Sequence, residues 1–141
     1  MSIAPPSTPV MQLRLVVEAE DFNEALAFYR DALGLTEQAA YQGDNDARVV
    51  ILDAGRATLE LCNTAQKEMI DLVEVGHPAS PKIRVAFEVT DTNGATTRLV
   101  EAGATLIGAP VETPWRSLNS RLAAPAGLQI TLFEELESKN A

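Results

Sequence analysis

The sequence predicts an α+β fold in which two βαβββ modules form a curved mixed sheet around a cleft. Three observations lead to this prediction. An amphipathic helix pattern runs from Asp21 to Gly34, a weaker copy runs from Asp91 to Gly103, and alternating strand patterns surround both. Because Asp91 lies 70 residues after Asp21, the chain looks like one unit used twice.

Both ends of the first predicted helix are marked in the sequence. Asp21 can cap its start, Glu24 completes a capping-box pattern, and Gly34 can adopt the left-handed conformation that ends a helix. The apolar residues at helical spacing are Phe22, Ala25, Leu26, Tyr29 and Leu33. This single apolar stripe predicts a helix that packs against a sheet.

Length and composition limit the possible classes of protein. A chain of 141 residues can bury one core but is too short for two ordinary domains, so the modules are expected to share a core. The net charge of −9 opposes binding to nucleic acid or anionic lipid. No apolar run approaches the roughly 20 residues of a membrane span. We therefore expect a cytoplasmic protein with neither a nucleic-acid nor a membrane partner.

The first module is predicted at residues 11–62. Its first strand, at residues 12–18, alternates in polarity, and the apolar face should belong to the core. The residues of that face are Leu13, Leu15 and Val17. After the helix, further strands are predicted at residues 36–41, 48–52 and 57–62. Cys62 is the single cysteine, so no intrachain disulfide is possible. We expect its side chain to be buried and to fill space in the core.

The second module is predicted at residues 82–136, and a linker at residues 63–81 joins it to the first. The linker contains a helical pattern whose apolar side consists of Ala65, Met69, Ile70 and Val73. Strands of the second module are predicted at residues 83–89, 105–107, 117–122 and 128–134, with a proline-punctuated segment at residues 109–115. Residues 1–10 and 137–141 are expected to be tails.

Two motifs, together with the repeat, resemble those of the vicinal oxygen chelate superfamily. Residues 25–35 read Ala-Leu-Ala-Phe-Tyr-Arg-Asp-Ala-Leu-Gly-Leu, and residues 125–134 read Pro-Ala-Gly-Leu-Gln-Ile-Thr-Leu-Phe-Glu. That superfamily contains glyoxalase I, bleomycin-resistance proteins and extradiol dioxygenases. The resemblance covers residues 11–136 and implies a single glyoxalase-like domain. It does not choose among the functions, because one fold serves enzymes and binding proteins alike.

The resemblance also implies four positions that hold a divalent metal in metal-dependent members of the superfamily. In this chain they correspond to Arg14, Glu60, Arg84 and Thr131. A guanidinium stays protonated near neutral pH and has no lone pair to donate, so Arg14 and Arg84 are unsuitable ligands. We therefore expect neither a metal ion nor another cofactor at this site.

Two roles are open for these arginines. Arg14 or Arg84 can pair with an acidic neighbour and neutralise charge on the sheet. The acidic candidates are Glu18, Glu60 and Glu88. Alternatively, a guanidinium that Glu60 leaves unpaired binds a carboxylate, phosphate or enolate-like oxygen of a small ligand. The two roles are compatible.

A second group of candidate binding residues lies between residues 113 and 121, on a loop that leads into a strand. In proteins that the chain resembles, this region lines the mouth of the cleft. Trp115 is then an apolar stacking wall and Asn119 a hydrogen-bonding partner, with Arg121 beside them in sequence. A core position or a dimer contact is the other explanation of Trp115.

Two functions are compatible with these features. The first is a protein that binds a small anionic or aromatic molecule in its cleft without a catalytic metal, similar to bleomycin-resistance proteins. The alternative is a metal-dependent lyase, isomerase or dioxygenase of the same superfamily, in which Glu60 is a ligand or a general base. A third function, as an interaction module, has only the dimerisation tendency of the fold in its favour.

The open sheet edges predict a symmetric homodimer.

Overall fold

A computed structural model of the protein describes residues 14–15, 17–57, 60 and 62–136. The predicted tails at residues 1–10 and 137–141 lie outside the described residues. Helix α1 (Phe22–Leu26) continues directly as a π-helix through Ala27–Ala32. As predicted, Asp21 caps this helix, because the Glu24 amide donates to Asp21 Oδ1 over 3.0 Å. Gly34 follows with a φ of 91°, in the left-handed region that ends a helix.

A β-hairpin follows α1. Strands β1 (Thr36–Gln42) and β2 (Arg48–Asp53) pair antiparallel and form a two-stranded sheet. A 3₁₀ turn at Asp44–Asp46 joins them. Both strands confirm the sequence-based predictions, but no side chain on either strand is fully buried.

The other two predicted strands of the first module are not strands where the structure describes them. The described residues between 14 and 18 are in no strand, and Leu15 is 52% exposed rather than in the core. Residues 57, 60 and 62 are also in no strand, and Cys62 is exposed. The prediction of a buried Cys62 is therefore wrong. Alternating polarity defines two faces for a segment, but a strand also needs a hydrogen-bonded neighbour, which the described residues do not supply here.

Helix α2 (Thr64–Glu74) confirms the predicted helix in the linker. Asn63 caps it, since the Gln66 amide donates to Asn63 Oδ1 over 2.9 Å. The buried side differs from the predicted apolar side. Its fully buried residues are Ile70, Asp71 and Glu74, whereas Ala65 and Met69 are exposed. Two acidic residues thus face the protein interior, where they find the buried partners described below.

The second module has the predicted order of elements. They are β3 (Val85–Glu88), α3 (Thr92–Glu101), β4 (Thr105–Glu112), β5 (Ser117–Ala124) and β6 (Leu128–Glu135). Their four strands form one sheet in the order β3-β6-β5-β4, in which β3 and β6 are parallel and the other pairs are antiparallel. The predicted α+β class with a mixed sheet is confirmed. Strand β4 runs without a break through Pro110, which an edge strand tolerates because its outer amides need no partner in the sheet.

One face of the four-stranded sheet is apolar and covers the main core. Leu122 of β5 and Ile130 and Leu132 of β6 are fully buried there. Leu99 of α3 and Phe28 of the first helix pack against them. The helix of the first module therefore shares the core of the second module, as the length of the chain predicts.

The opposite face of the sheet is polar, and α2 packs on its β4 and β5 strands. The approach is close at Gly108 of β4, where a Cβ atom would collide with the backbone carbonyl oxygen of Glu74. Only glycine permits the last turn of α2 to lie at this distance from the strand. Among the described residues, no helix is long and apolar enough to cross a lipid bilayer.

Candidate ligand-binding site

The pairing of β3, β5 and β6 brings four of the predicted site residues to the polar face of the sheet. Arg121 of β5 lies directly opposite Thr131 of β6, and Thr131 lies opposite Ala86 of β3. Asn119 lies two residues before Arg121, and Arg84 lies two residues before Ala86. Because side chains alternate between the two faces of a strand, Asn119 and Arg84 are on the same face as these residues. Residues far apart in sequence thus form one cluster.

Arg121 is the centre of this cluster and is 0% exposed. Its Nη2 donates to Glu74 Oε1 over 2.9 Å, and its Nη1 donates to Asp71 Oδ1 over 3.0 Å. Nη1 also donates to Ser80 Oγ and Gln129 Oε1, each over 2.9 Å. A buried guanidinium requires this degree of pairing, because removing its charge from water without a partner costs several kcal/mol.

Asp71 anchors the chain that follows α2. Its carboxylate accepts hydrogen bonds from the backbone amides of Ala79 and Ser80, each over 2.9 Å, and from Ser80 Oγ over 2.5 Å. Burial raises the pKa of Asp71, but these bonds and the Arg121 guanidinium outweigh burial and hold the pKa well below its ordinary value. Asp71 is therefore charged across the physiological range.

Glu74 and Asn119 form the other side of the cluster. Asn119 Nδ2 donates to Glu74 Oε2 over 2.7 Å, and Arg121 Nε donates to Glu74 Oε1 over 3.2 Å. This orientation leaves Asn119 Oδ1 buried without a hydrogen-bonding partner among the described residues. A buried amide oxygen without a donor is rare in proteins and identifies the one unsatisfied position of the cluster.

Arg84 is placed differently from Arg121. It is partly buried just before β3, and its Nη1 donates to Thr131 Oγ1 over 2.5 Å. No carboxylate of the described residues lies within 4.0 Å of its guanidinium. Burial lowers the pKa of Arg84, and the charge of Arg121 lowers it further, while Glu74 and Glu60 act in the opposite direction at longer range.

The three remaining candidates are exposed, unlike the buried residues of this cluster. Glu60 is exposed and forms no ion pair with Arg84 in the described chain. Arg14 is exposed and precedes α1. Trp115 lies in the turn between β4 and β5 and is 45% exposed, so it is not a core residue.

The residues of the cluster do not fit a divalent metal. Of the four positions that the superfamily resemblance implies, two are arginines, and the Thr131 hydroxyl already accepts a hydrogen bond from Arg84. A guanidinium has no lone pair for a metal and repels a dication. Glu60 would remain as the single anionic ligand, whereas structural and catalytic metal sites in proteins use three or four suitable side chains.

Several residues of the cluster are absent from the sequence-based candidates. They are Asp71, Glu74, Ser80 and Gln129. The available signal is the spacing of Asp71 and Glu74, which puts two carboxylates three residues apart on the same side of a helix as Ile70. Acidic residues next to an apolar position usually indicate the solvent boundary of a helix, so the spacing alone does not predict a buried ion pair.

An open depression of about 630 Å³ occurs elsewhere on the surface, at the start of α1. It is lined by residues 19–23, Asp46 and Arg48. Arg48 donates to Asn23 Oδ1 over 3.1 Å and lies 4.6 Å from the centre of the Phe22 ring. None of the predicted site residues lines this depression. The charged side chains converge instead on the polar face of the sheet, which is therefore the candidate site.

Solved structures with the same fold support the architecture. A glyoxalase family protein from Bacillus cereus matches with a TM-score of 0.58 at 20% identity, covering 95% of this chain and 100% of the other. A member of the glyoxalase/bleomycin resistance protein/dioxygenase superfamily from Sphaerobacter thermophilus matches with a TM-score of 0.55 at 23% identity, covering 89% of this chain and 100% of the other. A glyoxalase-related enzyme from Fulvimarina pelagi matches with a TM-score of 0.55 at 16% identity, covering 89% of each chain.

The family assignment follows from the sequence itself. No protein of curated function matches the chain significantly. A family model described as a glyoxalase-like domain matches residues 14–133, which is most of the chain. The predicted resemblance to the vicinal oxygen chelate superfamily is confirmed, and the protein belongs to the glyoxalase-like domain family.

Proposed function

We propose that the protein binds a small anionic molecule on the polar face of its four-stranded sheet, with Arg84 as the charged contact and without a divalent metal. The supporting observation is the difference between the two arginines of that face. Arg121 is fully buried and paired with two carboxylates, whereas Arg84 is partly accessible and has only the Thr131 hydroxyl as its described partner.

Arg84 has the donors that anion binding requires. A guanidinium has five N–H groups, and Arg84 uses one of them on Thr131 within the described chain. The remaining N–H groups can form the paired, charge-assisted hydrogen bonds that carboxylates and phosphates accept. The Thr131 hydroxyl accepts from Arg84 and is itself 2% exposed, so it positions the guanidinium rather than contacting the ligand directly.

The surface beside Arg84 suits a ligand that also has an apolar part. Strand pairing puts Ala86, Glu88 and Phe133 on the same face, where Ala86 is exposed and Phe133 is partly buried. Helix α2 packs on β4 and β5, and Arg84 beside the start of β3 is partly exposed. Trp115 is exposed in the β4–β5 turn, at the end of the sheet where Ser117 pairs with Glu135 and opposite to the end at which Arg84 lies, so it is not part of this surface.

The proposal is tested by replacing Arg84 while keeping the fold. Binding of small carboxylates and phosphomonoesters to the full chain is measured by titration calorimetry for the wild type and Arg84→Met. The variant should lose roughly 10- to 100-fold in affinity, since hydrogen bonds to charged groups contribute about 1.5–3 kcal/mol. Arg98→Met, on the exposed side of α3, is the matched control and should bind like the wild type.

Equal affinities for wild type and Arg84→Met would contradict the proposal. The metal-dependent alternative makes a different prediction, namely a stoichiometric divalent ion that is detected by elemental analysis and lost in Glu60→Gln. Detection of such an ion would contradict metal-free binding and favour the enzymatic alternative.

The quaternary structure is also a proposal. We propose a symmetric homodimer, because β3 is an edge strand of the sheet in the described chain and Ile83 before it is exposed. Light scattering across micromolar to millimolar concentrations tests this, and a monomer mass throughout would contradict it. The cytoplasmic location remains a prediction from the sequence.

A further inference from the structure

We infer that Arg121 and Asn119 form a carboxylate-binding site that the chain fills with its own Glu74, and that a small carboxylate with a neighbouring hydrogen-bond donor replaces Glu74 there. This inference rests on the proposed function, since it names the ligand class and a second contact point on the same sheet face. Glu74, at the end of α2, would then compete with the ligand for the hydrogen-bond donors of Arg121 and Asn119.

The contacts of Glu74 are those of a bound carboxylate ligand. Oε1 accepts from Nη2 of Arg121 over 2.9 Å and from Nε over 3.2 Å, while Oε2 accepts from Asn119 Nδ2 over 2.7 Å. Both oxygens therefore receive hydrogen bonds from fixed, buried donors on one strand. A free carboxylate at the same position would receive the same bonds.

The unpartnered oxygen of Asn119 indicates what Glu74 lacks. Asn119 is 5% exposed, and its Oδ1 accepts no hydrogen bond in the described chain. A carboxylate has no proton to donate, so Glu74 cannot satisfy this acceptor. A ligand with a hydroxyl or ammonium group next to its carboxylate can donate to Oδ1 while its carboxylate occupies the place of Glu74. The ligand class is therefore a small 2-hydroxy- or 2-amino-carboxylate.

The charges of the cluster permit this exchange. Arg84 and Arg121 provide two positive charges, and Asp71 and Glu74 provide two negative charges. A monocarboxylate placed beside Arg121 while Glu74 stays there would put three carboxylates around one buried guanidinium, which is costly. A monocarboxylate that replaces Glu74 leaves the balance unchanged.

The position of Glu74 makes it removable without unfolding α2. Glu74 is the last residue of the helix, and Gly76 follows with a φ of 93°. The last turn of a helix lacks part of its internal hydrogen bonds and opens more readily than the middle. Asp71 lies three residues earlier and keeps its bonds to Ala79 and Ser80, so the helix stays attached when the Glu74 side chain leaves Arg121.

Gly108 offers a way to displace Glu74 without changing any residue of the site. A Cβ atom at Gly108 collides with the Glu74 carbonyl oxygen, so Gly108→Ala should push the last turn of α2 away from Arg121. Gly43→Ala is the matched control, because a Cβ atom there lies 3.6 Å from Ala47 Cβ, an ordinary contact. Binding of glycolate and of acetate to the full chain is measured by calorimetry for both variants and the wild type.

Glycolate should bind Gly108→Ala at least about tenfold more tightly than the wild type, because a site that is open more of the time has a lower apparent Kd. Gly43→Ala should match the wild type. Acetate should bind more weakly than glycolate to Gly108→Ala, since it cannot donate to Asn119. Equal glycolate affinity of Gly108→Ala and wild type, or equal affinity for glycolate and acetate, would overturn the inference.

A second measurement applies if Gly108→Ala does not fold. Glu74→Ala removes the internal carboxylate, and added acetate should raise the Tm of this variant in a dose-dependent way, by more than in the wild type. Glu68→Ala, on the exposed side of the same helix, controls for general effects of acetate. A Tm rise of the same size in all three proteins would overturn the inference.

The outcomes separate this inference from the proposed function. If Gly108→Ala gains affinity while Arg84→Met loses none, the Arg121–Asn119 site stands and the role of Arg84 is wrong. If Arg84→Met loses affinity while neither Gly108→Ala nor Glu74→Ala differs from its control, the ligand binds at Arg84 and the inference fails.

Discussion

The two halves of the chain carry the same sequence pattern but contribute differently to the structure. In the second half, four strands and α3 supply most of the fully buried side chains, among them Leu99, Leu122 and Ile130. Among the described residues 14–15 and 17–57, the buried ones are Phe28 and Tyr29, and both lie on the helix rather than on the hairpin. Both strands of the hairpin are without a fully buried side chain.

The difference shows that two segments with the same sequence pattern do not each form a hydrophobic core of their own. Phe28 packs into the cluster formed by α3, β5 and β6, and the Tyr29 hydroxyl donates to the Pro125 carbonyl over 2.8 Å. Burial raises the pKa of this Tyr29 hydroxyl. The first helix thus completes the core of the second module, and the hairpin beside it adds little burial. We expect the stability of the protein to depend mainly on the second half.

One of the two largest losses of stability is expected from breaking the buried ion pairs of the second half. Arg121→Met should lower the free energy of unfolding by about 3–5 kcal/mol, because it leaves Asp71 and Glu74 buried without their cation. Urea denaturation of the full chain measures the loss. Arg116→Met removes an exposed pair with Glu112 and should cost no more than about 1 kcal/mol. Similar losses in the two variants would show that the Arg121 cluster does not stabilise the fold.

The contact between the halves is tested by truncating Phe28. Phe28→Ala should cost about 3–5 kcal/mol, since the ring is 1% exposed and its removal leaves a cavity in the shared core. Tyr41→Ala, on the exposed hairpin, should change stability by no more than about 0.5 kcal/mol. Thermal or urea unfolding decides between them, and a large loss from Tyr41→Ala would mean that the hairpin is a second source of stability.

Acid should weaken the second half through Asp71. The pKa of Asp71 is lower in the folded protein than its ordinary value of 3.8, so below pH 3.8 the unfolded chain binds a proton that the folded chain does not. The stabilisation that ionised Asp71 provides is fully present above pH 3.8. It is lost as the pH falls towards the pKa that Asp71 has in the folded protein. Asp71→Asn should be less stable than the wild type at neutral pH, and the gap should shrink in acid. A constant gap across pH 2–7 in urea titrations, roughly the range in which carboxylates titrate, would contradict this.

The smallest loss of stability is expected from removing a helix cap, and this loss should be equal in the two halves. Asp21 and Asp91 cap their helices in the same way, through the amides of Glu24 over 3.0 Å and Gly94 over 3.1 Å. Asp21→Ala and Asp91→Ala should therefore each cost about 1 kcal/mol. Unequal losses would show that the two helices depend differently on their caps. Asn93→Ala, an exposed change that leaves both caps intact, is the control.

Local features of the fold were predictable because neighbouring residues determine them. The caps at Asp21 and Asp91, the end of the first helix at Gly34 and the strands of the hairpin each follow from a few adjacent residues. The order of elements in the second module was predictable for the same reason. The absence of a strand at the described residues of the segments 14–18 and 57–62 was not predictable, since a strand depends on a partner that is distant in the chain.

For the candidate site, the sequence determined only which side chains share a face within one strand, as Asn119 and Arg121 do on β5. Strand pairing then brought Arg84 and Thr131 to the same face. The separate roles of Arg84 and Arg121 were decided by the tertiary structure, which brings α2 against β5 and pairs Arg121 with Asp71 and Glu74. A charged residue in a sequence gives no sign of its burial or its partner, because both depend on long-range packing. Helix α2 of the predicted linker is therefore part of the candidate site.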